Sequence, residues 1–160
     1  MKDMCISKPF LIFYLLVLGT ALGVSLSLGV FVAPVIFHAD AILSGVLNHY
    51  QEGLIMTQIF VRSGYFIAFA SILVLVVELY HFFVFCRDKI TFFSAFGVVW
   101  MGLMFVFYYT PQIIEFQKMG ESIVDNKLFQ KAHFASELDF KIFVVCLTIL
   151  FVRYLYRKIV

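Results

Sequence analysis

The sequence predicts an all-α integral membrane protein, a four-helix bundle with amphipathic segments after the first and third helices. Three observations predict it. Four long stretches, at about residues 10–37, 59–85, 90–109 and 139–157, are predominantly apolar. The 160 residues are 63% hydrophobic and 14% charged, with a mean hydropathy of +1.01, far too apolar for a soluble domain that must cover itself with polar surface. A proline, Pro34 or Pro111, stands at the end of the first and third stretches, and a segment of mixed polarity with helical period follows each. Residues 1–160 are read as a single transmembrane domain.

Met1 to Lys8 is a short basic leader, and Phe10 to Phe37 then runs without a charge. That run exceeds a signal-peptide core, and Pro34 directly after Ala33 blocks cleavage at a small residue, so the segment is read as a retained helix. Its small residues Gly19, Gly23, Ser25 and Gly29 recur at helical spacing. They predict close packing inside the bundle, with a homo-oligomer as the sharper alternative.

From Asp40, a plausible N-cap, to Met56 an apolar line of Leu43, Val46, Leu47, Tyr50 and Leu54 faces Ser44, Asn48, Gln51 and Glu52, the pattern of an amphipathic helix on the bilayer or on the bundle. The second span carries Arg62 near its start and Glu78 near its end. Arg62 is expected to be paired. Glu78 has two readings, a proton-relay carboxylate and a plain interfacial residue, and the plain one is preferred. His81, beside Tyr80, reads as interfacial. Arg87-Asp-Lys89 turns the chain into the third span, which Pro111 closes. A second amphipathic stretch follows, with Ile113, Phe116, Ile123 and Val124 against Glu115, Glu121 and Asp125. The fourth span ends at Arg153, Arg157 and Lys158.

The function is sought at the opening of the fourth helix. Spacing places His133, Glu137 and Lys141 one turn apart on one face, with Ser136 beside His133. Polar groups at membrane depth are costly unless partnered or wet, so Arg62, Glu115, His133, Ser136, Glu137 and Asp139 are read as one polar cluster at the outer ends of the helices. The two halves share a plan, since Arg62 follows Pro34 and Asp139 follows Pro111 by the same 28 residues. Such a repeat predicts that Arg62 and Asp139 face each other across a pseudo-axis.

Four short motifs carry a family resemblance: Gly29-Val-Phe-Val-Ala-Pro-Val-Ile-Phe37, Phe60-Val-Arg-Ser-Gly-Tyr-Phe66, Tyr109-Thr-Pro111, and Phe129-x-x-x-His133-x-x-Ser136. Together they resemble the transmembrane protein 205-like domain, a domain of unknown function. The resemblance implies a four-helix membrane domain and importance for Pro34, Pro111, Phe129, His133 and Ser136. Phe140, seven residues after the histidine, departs from the polar residue of the animal members.

Among chemistries, a divalent metal could be held by His133 and Glu137 with His49 and Glu52, or with His38 and Asp40, because imidazole and carboxylate suit zinc, iron or manganese. Haem could use His38 and His133 as axial ligands. The same side chains are equally served by hydrogen bonds, so no cofactor is assigned. Ser136 has no oxyanion loop near it and Cys146 lies in an apolar helix, so an enzyme is not expected. Cys5, Cys86 and Cys146 show no metal spacing or disulfide framework. A formal charge of +2, with no basic run longer than Arg157-Lys158, excludes nucleic acid as a partner and leaves the lipid bilayer.

Loop charges orient the chain. Lys2, Lys8, Arg87, Lys89, Arg153, Arg157 and Lys158 share one side, and most acids fall on the other, which puts both termini in the cytoplasm, in the inner membrane of a bacterium. The residues favour binding or transport of a small solute, ion or lipid through the polar cluster. The alternatives are a structural or interaction subunit whose cluster is only an ion-pair network, and a haem- or metal-binding redox protein.

Overall fold

The computed structural model describes residues 7–43, 45–84 and 88–159. Met1 to Ile6, Ser44, Cys86, Arg87 and the side chains of Asp40, Arg157 and Lys158, all used above, lie outside the described residues. Four helices make up the fold: α1 (Lys8–Ile36), α2 (His49–Phe83), α3 (Lys89–Gln117) and α4 (Lys127–Ile159). There is no strand among the described residues.

Local sequence explains where each helix begins. Pro9 lies in the first turn of α1, where its missing N–H costs no hydrogen bond. Asn48 opens α2 with a reciprocal cap, its side chain accepting from the Gln51 N–H at 2.9 Å while the Gln51 side chain accepts from the Asn48 N–H at 3.0 Å. Asp88 caps α3 by accepting from the Thr91 hydroxyl at 2.7 Å and from the Thr91 N–H at 3.3 Å. Asn126 caps α4 through the Leu128 N–H at 2.8 Å. After Gln117 the chain turns at Gly120, whose φ of 82° lies in the left-handed region that a side chain would disfavour.

Both prolines are absorbed rather than obeyed as helix stops. A proline interior to a helix removes one N–H and clashes with the carbonyl four residues before it. Here a π-helical turn precedes each, Ser27–Val32 before Pro34 and Phe105–Tyr109 before Pro111, and both end two residues short of the proline. The wider turn makes room for the ring. The Thr110 hydroxyl adds a second bond to the Phe105 carbonyl, at 2.8 Å, beside the one that carbonyl accepts from the Thr110 N–H.

As a result α3 runs on past Pro111 to Gln117, and the polar segments lie where the sequence puts them but are built from helix ends and single turns. After α1 comes the turn Ala39–Ile42, then the first turns of α2, which starts at His49 rather than near Ile59. After α3 comes the 3-10 turn Glu121–Asp125.

Each helix packs on two others, in the ring α1–α2–α3–α4–α1. Short connections make neighbours antiparallel, so the termini lie at one end of the bundle and the 37–48 and 118–126 connections at the other. The core takes Leu11, Tyr14 and Leu18 from α1, Ile67, Ala70 and Val74 from α2, Ala95, Val98 and Phe105 from α3, and Phe143, Leu147 and Leu150 from α4. Small residues set the spacing. Gly102 of α3 lies against Ser71 and Phe143, and a Cβ at Gly19 of α1 would stand 3.4 Å from the Phe151 ring. Ser25 is buried and Gly29 approaches Phe140, whereas Gly23 meets nothing within 4 Å.

Large apolar side chains cover the outside, including Phe31, Phe83, Phe93 and Phe107, each about two thirds exposed or more. A water-facing surface of this kind would aggregate, and a lipid-facing one is at home. α1, α2 and α3 are long and apolar enough to cross a membrane. In α4 the apolar run is broken at its start by Asp139 and Lys141 and near its end by Arg153.

Candidate functional site

The predicted cluster separates in the structure into buried and surface groups. Arg62 is exposed and makes no ion pair among the described residues. The reason is helix phase. Thr57 and Gly64 lie on the buried side of α2, and a position five residues after Thr57 falls about 140° round the helix from it. The expected pairing of Arg62 with Asp139 therefore does not form. Glu115 and Glu137 are exposed too, each joined to a lysine of its own helix, Lys118 in one case at 2.5 Å and Lys141 in the other at 2.6 Å. Such pairs hold no helices together and contribute little.

What gathers at the connection end is aromatic and imidazole. Phe37 at the end of α1 packs on His49 with centroids 5.8 Å apart and on His133 at 6.4 Å, and Phe129 stacks on His133 at 6.0 Å. His49 Nδ1 lies 3.2 Å from the carboxylate of Glu52, a residue only 2% exposed. Partial burial pushes the His133 imidazole below its ordinary range, Glu137 one turn on pulls it back, and His49 pushes it down again.

Among the described residues these histidines are engaged separately. His38 directs Nδ1 to the Pro34 carbonyl at 2.8 Å, the Phe37 ring packs against both His49 and His133, and Glu137 is engaged by Lys141. Among the described residues no three His, Cys, Asp or Glu side chains stand close enough to hold a metal ion. The candidate set His38, His49, His133 and Glu137 is thus not brought together among the described residues. Ser136, buried on α4, donates to the His133 carbonyl at 2.7 Å, a bond within the helix that leaves no serine–imidazole pair.

Asp139 differs from the other predicted acids. It is 6% exposed, on the buried side of α4 with Ala132, Ser136 and Phe143, and its Oδ2 is enclosed without a hydrogen-bond partner. Phe140, next to it in the chain, packs on Phe105 at the start of the π-helical turn of α3, centroids 5.1 Å apart. Glu52 and Asp139 thus place two buried carboxyl groups at the connection end, one engaged and one not.

Several polar residues escape the sequence reading. Gln117, buried at the end of α3, donates to the Thr57 hydroxyl at 2.9 Å and to the Gly53 carbonyl at 3.3 Å, while the Tyr50 hydroxyl donates to the Gln117 carbonyl at 2.8 Å. Asn48 joins the two connections by donating to Glu121 at 2.8 Å. At the terminal end Arg153 of α4 donates to Asp88 at 3.0 Å. Burial disfavours the charged Asp88, but hydrogen bonds from the Thr91 hydroxyl, Arg153 and the Thr91 N–H outweigh it and hold the carboxyl at about 2.

Near that pair the Tyr154 hydroxyl donates to Glu78 at 2.5 Å and lies 3.1 Å from His81 Nδ1. Glu78 and His81 are visible in the sequence as polar residues of an apolar span, but Tyr154, 76 residues from Glu78, gives no local signal.

The description that matches this chain is a domain of unknown function, DUF4149, over residues 16–122. The chain belongs to the DUF4149 family. The matched part of this DUF4149 protein runs from within α1 through the 3-10 turn and includes Pro34, Arg62, Pro111 and Glu115. Phe129, His133, Ser136 and Asp139 of α4 lie beyond it. No curated protein and no solved structure matches the chain.

Proposed function

We propose that this DUF4149 protein is a multi-pass membrane protein that binds and transports a small cationic solute at the connection end, with Asp139 as its charged ligand group. The carrying observation is the enclosed Asp139 carboxyl with its unpartnered Oδ2. A carboxylate withdrawn from water without a partner is strongly destabilised, and a bound cation relieves that cost. Ser136 is buried one helical turn before it. The rings at the same end, Phe37, Phe129 and Phe140, offer faces that favour positive charge.

The finer readings rest on the same footing. The four motifs support a place within the transmembrane protein 205-like group, and the loop charges support a bacterial inner membrane with both termini in the cytoplasm. The apolar length of α4 from Ile142 onward supports a fourth crossing. Self-association through α1 would use Gly23, whose surface is open, because Gly19 and Ser25 are occupied within the bundle. The structural-subunit alternative is weaker: Glu115 and Glu137 pair within their own helices and Arg62 pairs with nothing among the described residues.

A thermal-unfolding screen of the detergent-purified protein against alkali, alkaline-earth and alkylammonium cations tests the binding. A ligand specific to the folded state stabilises it by mass action, by about 2.7 kcal/mol at a hundred times its Kd. At least one cation is expected to raise the midpoint of the natural protein and not that of Asp139→Asn. Equal responses of the two proteins to every cation would overturn the proposal.

A further inference from the structure

The terminal end holds a second buried polar group, separate from the connection end. Asp139 and Tyr154 are fifteen residues apart on α4, about 22 Å along the helix, and Phe143, Leu147 and Leu150 fill the stripe between them, all fully buried. An apolar layer thus divides the two ends, and the terminal group needs its own account.

Its hydrogen bonds have a direction. Tyr154 Oη donates to Oε1 of Glu78, so its single proton is spent there. The 3.1 Å contact of the same oxygen with His81 Nδ1 must then be donated by the ring, which places the imidazole proton on Nδ1 and leaves Nε2 as a bare acceptor. His81 is 4% exposed and that Nε2 is enclosed with no partner among the described residues. Glu78 keeps some access to its surroundings, its side chain being 11% exposed.

Packing fixes the alignment. Tyr154 is held edge-on by Tyr14 of α1, centroids 5.0 Å apart, and stacks on His81. Among the described residues the charged groups at this end are Lys8 of α1 and Lys89 of α3, both exposed, and Asp88 and Arg153, which are paired with each other.

We propose that Glu78, Tyr154 and His81 form a built-in proton relay, with His81 Nε2 as one port and the Glu78 carboxylate as the other. A proton arriving at Nε2 makes the imidazolium. The Nδ1 proton then passes to Tyr154 Oη as the tyrosine's own proton passes to Oε1 of Glu78. The products are a neutral Nε2–H imidazole, a restored phenol and a protonated carboxyl, so one proton has moved and no other bond has changed. The reverse path carries a proton from Glu78 back to Nε2 and restores the Nδ1–H ring, so the relay conducts in either direction. The relay requires more than this geometry, namely that its members titrate as one coupled group.

Isotope-edited nuclear magnetic resonance of labelled histidine, on the full chain in lipid nanodiscs, reads that coupling. The expected result is that Glu78→Gln and Tyr154→Phe each shift the His81 titration midpoint by at least about one pH unit, the size that marks interacting sites. Tyr154→Phe keeps the ring on Tyr14, and Arg153→Lys, outside the relay, serves as a control that leaves the midpoint in place. A His81 midpoint unmoved by both variants would overturn the relay. If either variant fails to fold, infrared titration of the unaltered chain decides: coupled titration of the Glu78 carboxyl and His81 supports the relay, and independent steps refute it.

Discussion

At the level of single residues, what matters about an ionisable group in this protein is its phase on its helix rather than its position along the chain. Arg62 and Asp139 sit at matching offsets from Pro34 and Pro111, yet one faces out and the other in. The equal offset does not make a contact, because a linear offset does not fix which way each helix is turned. Tyr154 was missed for the opposite reason, since it is one tyrosine among eight and only the folded chain brings it to Glu78.

Asp88 shows how a residue-scale contact sets a pH response. Its folded value of about 2 lies below the ordinary 3.8, so the stability it contributes is present above about pH 4 and is lost as pH falls through 2. Asp88→Asn keeps a capping side chain but not the charge facing Arg153. The unfolding midpoint of this variant is therefore expected to fall less steeply between pH 4 and pH 2 than that of the natural protein, measured by circular dichroism in detergent.

Apolar spans and proline positions were legible in the sequence, but the caps Asn48 and Asp88 were not singled out, although they act through residues two or three positions away, and α2 starts at His49 rather than near Ile59. The helix ends were not legible either. A proline suggests a stop, and nothing in a linear pattern announces that a π-helical turn will carry the chain through it. The α3–α4 contact was equally hidden, and it depends on glycines. A Cβ at Gly102 would collide with the Ser71 hydroxyl and lie 2.9 Å from the Phe143 ring, neither of which can swing away freely, and one at Gly97 would meet the Cys146 sulfur. Gly102→Ala is accordingly expected to destabilise the bundle by about 1–3 kcal/mol, the usual cost of overpacking. The same change at Gly23, where nothing lies within 4 Å, should be neutral or slightly stabilising. Thermal unfolding of the two variants side by side checks the contrast.

For the molecule as a whole, composition was decisive, because a chain this apolar can fold only where its outer surface meets lipid. The ring of four antiparallel helices gives it two unlike ends. The connection end carries Asp139 with the His49 and His133 imidazoles, the terminal end carries Glu78, His81 and Tyr154, and an apolar core separates them. On the proposed fourth crossing and orientation, both termini fall on the cytoplasmic side. Single cysteines introduced at Asp125, in a background lacking the native ones, should accept an impermeant maleimide from outside the cytoplasmic membrane, and cysteines at Ser7 should not. The reverse pattern would invert the orientation.

Calorimetric titration of the nanodisc-embedded chain with the cation that stabilises it most is the direct measurement of whether the enclosed carboxyl is the ligand group. One site per chain is predicted, absent in Asp139→Asn and retained in Glu137→Gln and Arg62→Gln. Undiminished binding by Asp139→Asn, or binding lost with Glu137 in its place, would contradict the assignment.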